Sequence, residues 1–188
     1  MKTKNRCTWC LKDDMYIAYH DTEWGRPLHD DQKLFEFLIL ESFQAGLSWW
    51  IVLRKRENFR KAFAHFDAKK IARFDEKKIE ALMQDVGIVR NRLKIVSAIN
   101  NAKVFLKIQK EFGSFDAYVW SFTKGKTIRN CPKDISKLTN KTPLSDQMSK
   151  DMGKRGFTFR GSTICYAFMQ AVGIVDDHVS TCFRAKKK

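Results

Sequence analysis

Asp30-Asp31-Gln32-Lys33-Leu34-Phe35-Glu36-Phe37-Leu38-Ile39-Leu40-Glu41-Ser42-Phe43-Gln44-Ala45-Gly46-Leu47-Ser48-Trp49-Trp50 is the stretch from which the fold is read. Asp30 is a helix-capping residue type, and the apolar positions Leu34, Phe35 and Leu38 recur at helical spacing. Gly46 is a natural helix stop, and Ser48 can cap the next helix. From Ser48 onward, Val52, Phe59, Phe63 and Phe66 are spaced for one buried face. Asp67 and Asp75 each precede short helical patterns; the second runs to Asp85 with Ile79, Leu82 and Met83. A longer helix is expected from about Asn91, with Ile95, Ile99, Ala102 and Phe105 on one side. An aromatic helix starts at Ser114. Residues 124–144, with two of the three prolines, read as a long surface loop. Helical pattern returns over 145–154 and 162–172. Strand alternation is nowhere sustained, although 157–160 could form a short extended piece. The expectation is an all-α single domain over residues 1–188.

Composition agrees with that class. Hydrophobic residues make up 44%, fifteen Phe and five Trp make the core aromatic, and nine Gly with three Pro permit long helices. No apolar run reaches the ~20 residues of a membrane span. The amino terminus has no apolar h-region, so no signal peptide is visible. Five cysteines without framework spacing point to a reducing compartment, hence a cytoplasmic protein. The net charge is +15, spread over 54–61, 69–78, 90–94, 150–160 and the tail 186–188. Such a balance favours a polyanion, most often nucleic acid; the alternative is a solvated surface. The tail 183–188, which ends in that lysine run, reads as a disordered basic extension.

Four features carry chemistry. Glu41 follows three aliphatics, so a carboxylate on that face is partly desolvated and needs partners or a raised pKa. A surface position at a helix edge is the other reading. Trp9, Tyr16, Tyr19 and Trp24 gather aromatic rings close by in sequence, and such faces pack in cores, stack on bases or attract cations. Gly46 and Leu47 sit at a helix-to-helix turn whose apolar tip could protrude. Cys7 and His20 near one end, with His178 and Cys182 near the other, make a Cys₂His₂ set. That is the chemistry of a closed tetrahedral zinc site joining the chain ends. The i, i+4 spacing of His178 and Cys182 places both on one helix face. Spacing alone equally allows buried cysteines and hydrogen-bonded histidines, and Cys7 with Cys10 forms a C-x-x-C that could be a redox pair. Gly87 lies in a turn followed by Arg90, Arg92 and Lys94. Such a hairpin can aim N–H groups and basic side chains at a phosphate, or be an ordinary helix ending.

The stretches Tyr16-Ile17-Ala18-Tyr19-His20-Asp21-x-Glu23-Trp24-Gly25, Glu41-x-x-Gln44-Ala45-Gly46-Leu47-Ser48-Trp49, Lys55-Arg56-Glu57-Asn58-Phe59-Arg60 and Asp85-x-Gly87-Ile88-x-Arg90 carry a resemblance to the bacterial 3-methyladenine DNA glycosylase I family. Further matches are Lys154-Arg155-Gly156-Phe157, Thr163-Ile164-Cys165-Tyr166-x-Phe168-Met169-Gln170-Ala171 and Asp177-His178-Val179. It spans about 7–182. It implies a helix-hairpin-helix glycosylase fold with one structural zinc on Cys7, His20, His178 and Cys182, Cys10 lying outside that ligand pattern. It implies that Glu41 contacts the excised base in a pocket walled by Trp9, Tyr16, Tyr19, Trp24 and Trp49. The expected partner is duplex DNA carrying alkylated purines, with free 3-methyladenine as product, no membrane and a monomeric enzyme. Gly46 and Leu47 would wedge the DNA; Gly87, Arg90, Arg92 and Lys94 would hold its phosphates. The resemblance places no water-activating aspartate after the hairpin and no nucleophilic lysine, so a monofunctional glycosylase is expected. A metal-stapled DNA-binding module or a Cys7–Cys10 redox protein would leave the long matches unexplained.

Overall fold

The computed structural model describes residues 4–185. Its helices are α1 (Asp14–Thr22), α2 (Asp31–Gln44), α3 (Trp49–Arg54), α4 (Arg56–Ala62), α5 (Ala68–Ile71), α6 (Glu76–Gln84), α7 (Arg92–Phe112), α8 (Phe115–Ser121), α9 (Pro143–Lys154) and α10 (Ser162–Ala171). None among the described residues is long and apolar enough to cross a membrane.

Helix α2 is the axis of the molecule. The Asp30 side chain accepts from Lys33 N, and the helix ends where Ala45 turns extended and Gly46 takes φ +77°, a conformation glycine adopts without strain. Every residue from Leu34 to Phe43 is buried. A helix apolar all round must be wrapped, and α3, α7, α8 and α10 wrap this one. Each large apolar side chain so buried contributes roughly 1.5–3 kcal/mol. Wrapping also forces Glu36 and Glu41 out of water, at 6% and 3% exposure.

The capping expectations at Asp67, Asp75, Asn91 and Ser114 correspond to observed side-chain caps on α5, α6, α7 and α8. The stretch after Ser48 differs from the expected single helix. It breaks at Lys55 into α3 and α4 and ends in a one-turn 3₁₀ helix, Ala64–Phe66, whose His65 is left-handed. The phenylalanines still converge: Phe59 and Phe63 lie 4.8 and 5.6 Å from Phe43, ring centre to ring centre. Packing chose the breaks, since a straight helix cannot wrap α2.

Two further corrections concern extended structure. Ile128–Arg129 (β1), inside the expected loop, pairs in parallel with Val175–Asp176 (β2) in the register Ile128↔Val175. Residues 157–160 form no strand: Phe159 has φ 48°, and Thr158 is held by its backbone, with N donating to Asn101 Oδ1 at 2.9 Å and O accepting from Asn101 Nδ2 at 3.0 Å. His178 and Cys182 do not share a helix. They follow β2 in irregular chain closed by Cys182 N to Val179 O at 2.8 Å. Phe183 N then donates to Asn5 O, so the two chain ends meet. Of the expected disordered tail 183–188, the first part is instead tied down, Phe183 N to Asn5 O and Ala185 N to Cys182 O at 3.0 Å, and 186–188 lie outside the described residues.

Candidate active site

All five aromatic residues singled out in the sequence and Glu41 line one cleft of about 200 Å³. The local structure explains the convergence. Tyr16 and Tyr19 lie at i, i+3 on α1, which Asp13 caps through Tyr16 N. Trp49 is the first residue of α3, and its ring sits 5.5 Å from Tyr19. Trp9, in a one-turn 3₁₀ helix, packs edge-on against Tyr16 at 4.9 Å and Trp24 at 5.0 Å. Four lining residues were not singled out: Gln44, Leu138, Ala167 and Gln170. Gln44 could have been found, being i+3 from Glu41 on the same face. Leu138 could not, since it comes from the loop read as surface.

Glu41 is the only carboxylate among the residues lining the cleft, and its Oε2 is buried without a hydrogen-bond partner among the described residues. Burial pushes its pKa up to about 8. Burial and then the Glu41 charge push the Tyr16 phenol up to about 12, and the same causes hold Tyr19 well above its ordinary range. Trp49 Nε1 is a second buried polar atom lacking a partner. The wall therefore presents an unmet acceptor and an unmet donor among ring faces, the polar complement of a planar heteroaromatic ligand.

Beyond the cleft, Leu47 N donates to Gln44 O at 2.6 Å, and the Leu47 side chain is 38% exposed at the turn. The α6–α7 connection departs from the expected phosphate cradle. Gly87 N already donates to Asp85 Oδ1 at 2.8 Å; its missing side chain admits α4, because a Cβ there would lie 3.1 Å from Asn58. Arg92 is paired with Glu76 and Glu80. Lys94 is buried and turned away from solvent, its Nζ donating to Phe43 O at 2.8 Å and Ala45 O at 2.5 Å. It braces the α2 terminus. Of the four residues, Arg90 is the exposed cation without an ion pair among the described residues.

Atoms of Cys7, His20 and Cys182 able to bind a metal all lie within 4.8 Å of one another, and all three residues are buried. The His178 ring centre is 4.9 Å from that of His20. Each histidine is anchored through one nitrogen: His20 Nδ1 to Asp21 at 2.8 Å, His178 Nδ1 to Asp176 at 2.7 Å. This leaves Nε2 unanchored by a carboxylate on both. His20 Nε2 lies 3.5 Å from Cys182 Sγ, and His178 Nε2 is buried with no partner among the described residues. A carboxylate-anchored imidazole presenting Nε2 beside thiols suits a thiophilic divalent cation, and the structure brings three of the four expected ligands into that cluster, His178 lying outside it. Cys10 turns its Sγ toward Cys7 O at 3.1 Å, and neither cysteine is in a disulfide.

The methyladenine glycosylase family model matches residues 9–185. A DNA-3-methyladenine glycosylase of Haemophilus influenzae is 48% identical, covering 94% of this chain and 96% of that one. A crystal structure of 3-methyladenine DNA glycosylase I superposes with TM-score 0.94 at 47% identity, over 97% of this chain and all of that one. A variant of 3-methyladenine DNA glycosylase I in complex with 3-methyladenine superposes with TM-score 0.93 at 36% identity, over 97% and 98%.

Proposed function

The chain belongs to the methyladenine glycosylase family, and on that footing we propose that it hydrolyses the N-glycosidic bond of 3-methyladenine in alkylated DNA. The observation carrying the reading is Glu41, an acid without a partner in a ring-walled cleft. Methylation at N3 makes the base cationic, so it leaves as a neutral purine from an already weakened bond. Stacking on rings such as Trp49 and Tyr16 favours that cation, and an ionised Glu41 at its edge accepts a hydrogen bond from it. The arriving positive charge offsets the burial that raises the Glu41 pKa, drawing the acid into its charged form.

The base reaches the cleft by leaving the stack, a step costing a few kcal/mol. Leu47, with Gly46 shaping its turn, fills the space left behind. Duplex phosphates meet the α6–α7 hairpin, read as a helix-hairpin-helix, chiefly through Arg90. Water attacks the departing sugar cation, and the mechanism is monofunctional: among the described residues lining the cleft there is no lysine to form an imine. Cys7, His20, His178 and Cys182 would hold one structural zinc, whose chemistry is to clamp the chain ends. Its expected signature is one zinc per chain by elemental analysis, lost in Cys182→Ala. The enzyme is a monomer on this reading.

The deciding experiment is chromatography of purines released from methylated duplex DNA. Free 3-methyladenine from the wild type, strongly reduced with Glu41→Gln, is expected. Equal release by both proteins would remove Glu41 from the chemistry.

A further inference from the structure

Apart from the cleft and the cysteine–histidine cluster, a concavity of about 290 Å³ is lined by Gly25, the neighbour of Trp24, and by three arginines from distant parts of the chain. Arg26 follows the turn after α1, Arg129 is in β1, and Arg184 lies just beyond Cys182. Backbone ties hold the segments that carry them: Gly25 N donates to Gln170 O at 3.0 Å, β1 pairs Arg129 opposite Asp176, and Phe183 N donates to Asn5 O.

The charges there do not balance. Asp176 is the one acid lining the concavity among the described residues, its Oδ1 engaged by His178 N and Nδ1, so a single carboxylate stands against three guanidinium groups. Arg26 donates through Nη2 to a backbone oxygen, that of Asp21, at 3.0 Å. Arg184 Nε is shielded from solvent and has no partner among the described residues. None of the three arginines takes part in the ion pairs found among the described residues, whereas Arg6, Arg56, Arg60, Arg92 and Arg155 all do. A guanidinium N–H withdrawn from water without an acceptor is costly, and neighbouring like charges add repulsion. Both costs vanish when an oxyanion enters, because the planar guanidinium fork matches tetrahedral oxyanion geometry.

We propose that Arg26, Arg129 and Arg184 form a binding site for a phosphate-type oxyanion, separate from the aromatic cleft. The same chemistry is supplied by free phosphate or by the backbone of a nucleic acid. The site stands whether or not the cleft excises bases.

The test uses the full chain and the double variant Arg129→Gln/Arg184→Gln. Inorganic phosphate is titrated by calorimetry at constant ionic strength, and thermal midpoints are followed in parallel. Wild type is expected to bind phosphate with a rise in midpoint. The variant, with unchanged far-ultraviolet circular dichroism, is expected to bind about tenfold more weakly, the loss of one or two charge-assisted bonds. A second arm measures affinity for an undamaged duplex. A matching loss in the variant, with phosphate competing, assigns the site to nucleic-acid backbone; unchanged duplex affinity with lost phosphate binding assigns it to the free anion. Equal phosphate responses in both proteins, or no phosphate response together with unchanged duplex affinity, overturn the proposal. Should the double variant not fold, Arg26→Gln, whose side chain is exposed, must show the same weakening or the proposal fails.

Discussion

Glu36 and Glu41 are carried by the same buried helix, yet the molecule treats them oppositely. Glu36 is met by two guanidinium groups: Arg56 Nε donates to its Oε1, and Arg60 donates to both oxygens, through Nη2 at 2.8 Å and Nε at 3.2 Å. Arg56 also reaches Glu23, its guanidinium lying 4.9 Å over the Phe37 ring. Glu41 receives no cation among the described residues, and burial raises its pKa. One carboxylate is built into the fold as half of an ion network. The other is kept unmet, at a cost in stability, where a cavity opens. The difference separates an acid that serves the architecture from one reserved for a visitor.

The comparison breaks first at Glu36. Glu36→Ala removes the carboxylate shared by buried Arg56 and half-buried Arg60, which keep Glu23 and Glu57, and is expected to cost about 3 kcal/mol in denaturant unfolding, the low end for breaking a buried pair. A loss below about 1 kcal/mol, the scale of an exposed pair, would mean the network contributes little and the contrast is only geometric.

Glu41→Gln should do the reverse. Excision is expected to fall about 100-fold, the scale of one preorganised charge-stabilising group. Stability should rise above neutrality. Between 4.5, the ordinary value, and about 8, the unfolded chain is ionised at Glu41 and the folded chain is not. Stability of the wild type therefore declines as pH rises through that window and is greatest below it, at about 1.4 kcal/mol per pKa unit. The variant should lack this decline. Parallel pH–stability curves for the two proteins would show that Glu41 is not held neutral in the empty cleft. Free 3-methyladenine added to the wild type should flatten the curve by supplying the missing partner, and added to Glu41→Gln should leave it unchanged.

Lys94 sharpens the contrast at smaller scale, as a buried cation answered by carbonyls rather than by a charge. Lys94→Met keeps the stem and removes the donors, and is expected to cost about 1–3 kcal/mol. Excision should fall with it if the brace under the Gly46–Leu47 turn sets the wedge; unchanged excision at reduced stability would confine Lys94 to packing.

Much of this was legible along the chain. Asp30, Asp67, Asp75, Asn91 and Ser114 marked their helix starts because a capping side chain acts on N–H groups two or three residues away, a local matter. Trp9, Tyr16, Tyr19, Trp24 and Glu41 were identifiable because rings and an acid in an apolar context violate ordinary patterning. Leu138, the Arg56–Glu36 pairing, the inward turn of Lys94 and the irregular path of His178 and Cys182 were not legible, since each depends on which distant segment arrives beside it.

The one-dimensional pattern thus determined that capped helices with apolar residues at helical spacing, and so an all-α body, must form, because helix periodicity and caps are short-range properties. Only the three-dimensional arrangement decided which of its two glutamates found arginines and which met a cavity. Coulombic and desolvation energies depend on separations through space, and those are set by packing between segments far apart in the chain.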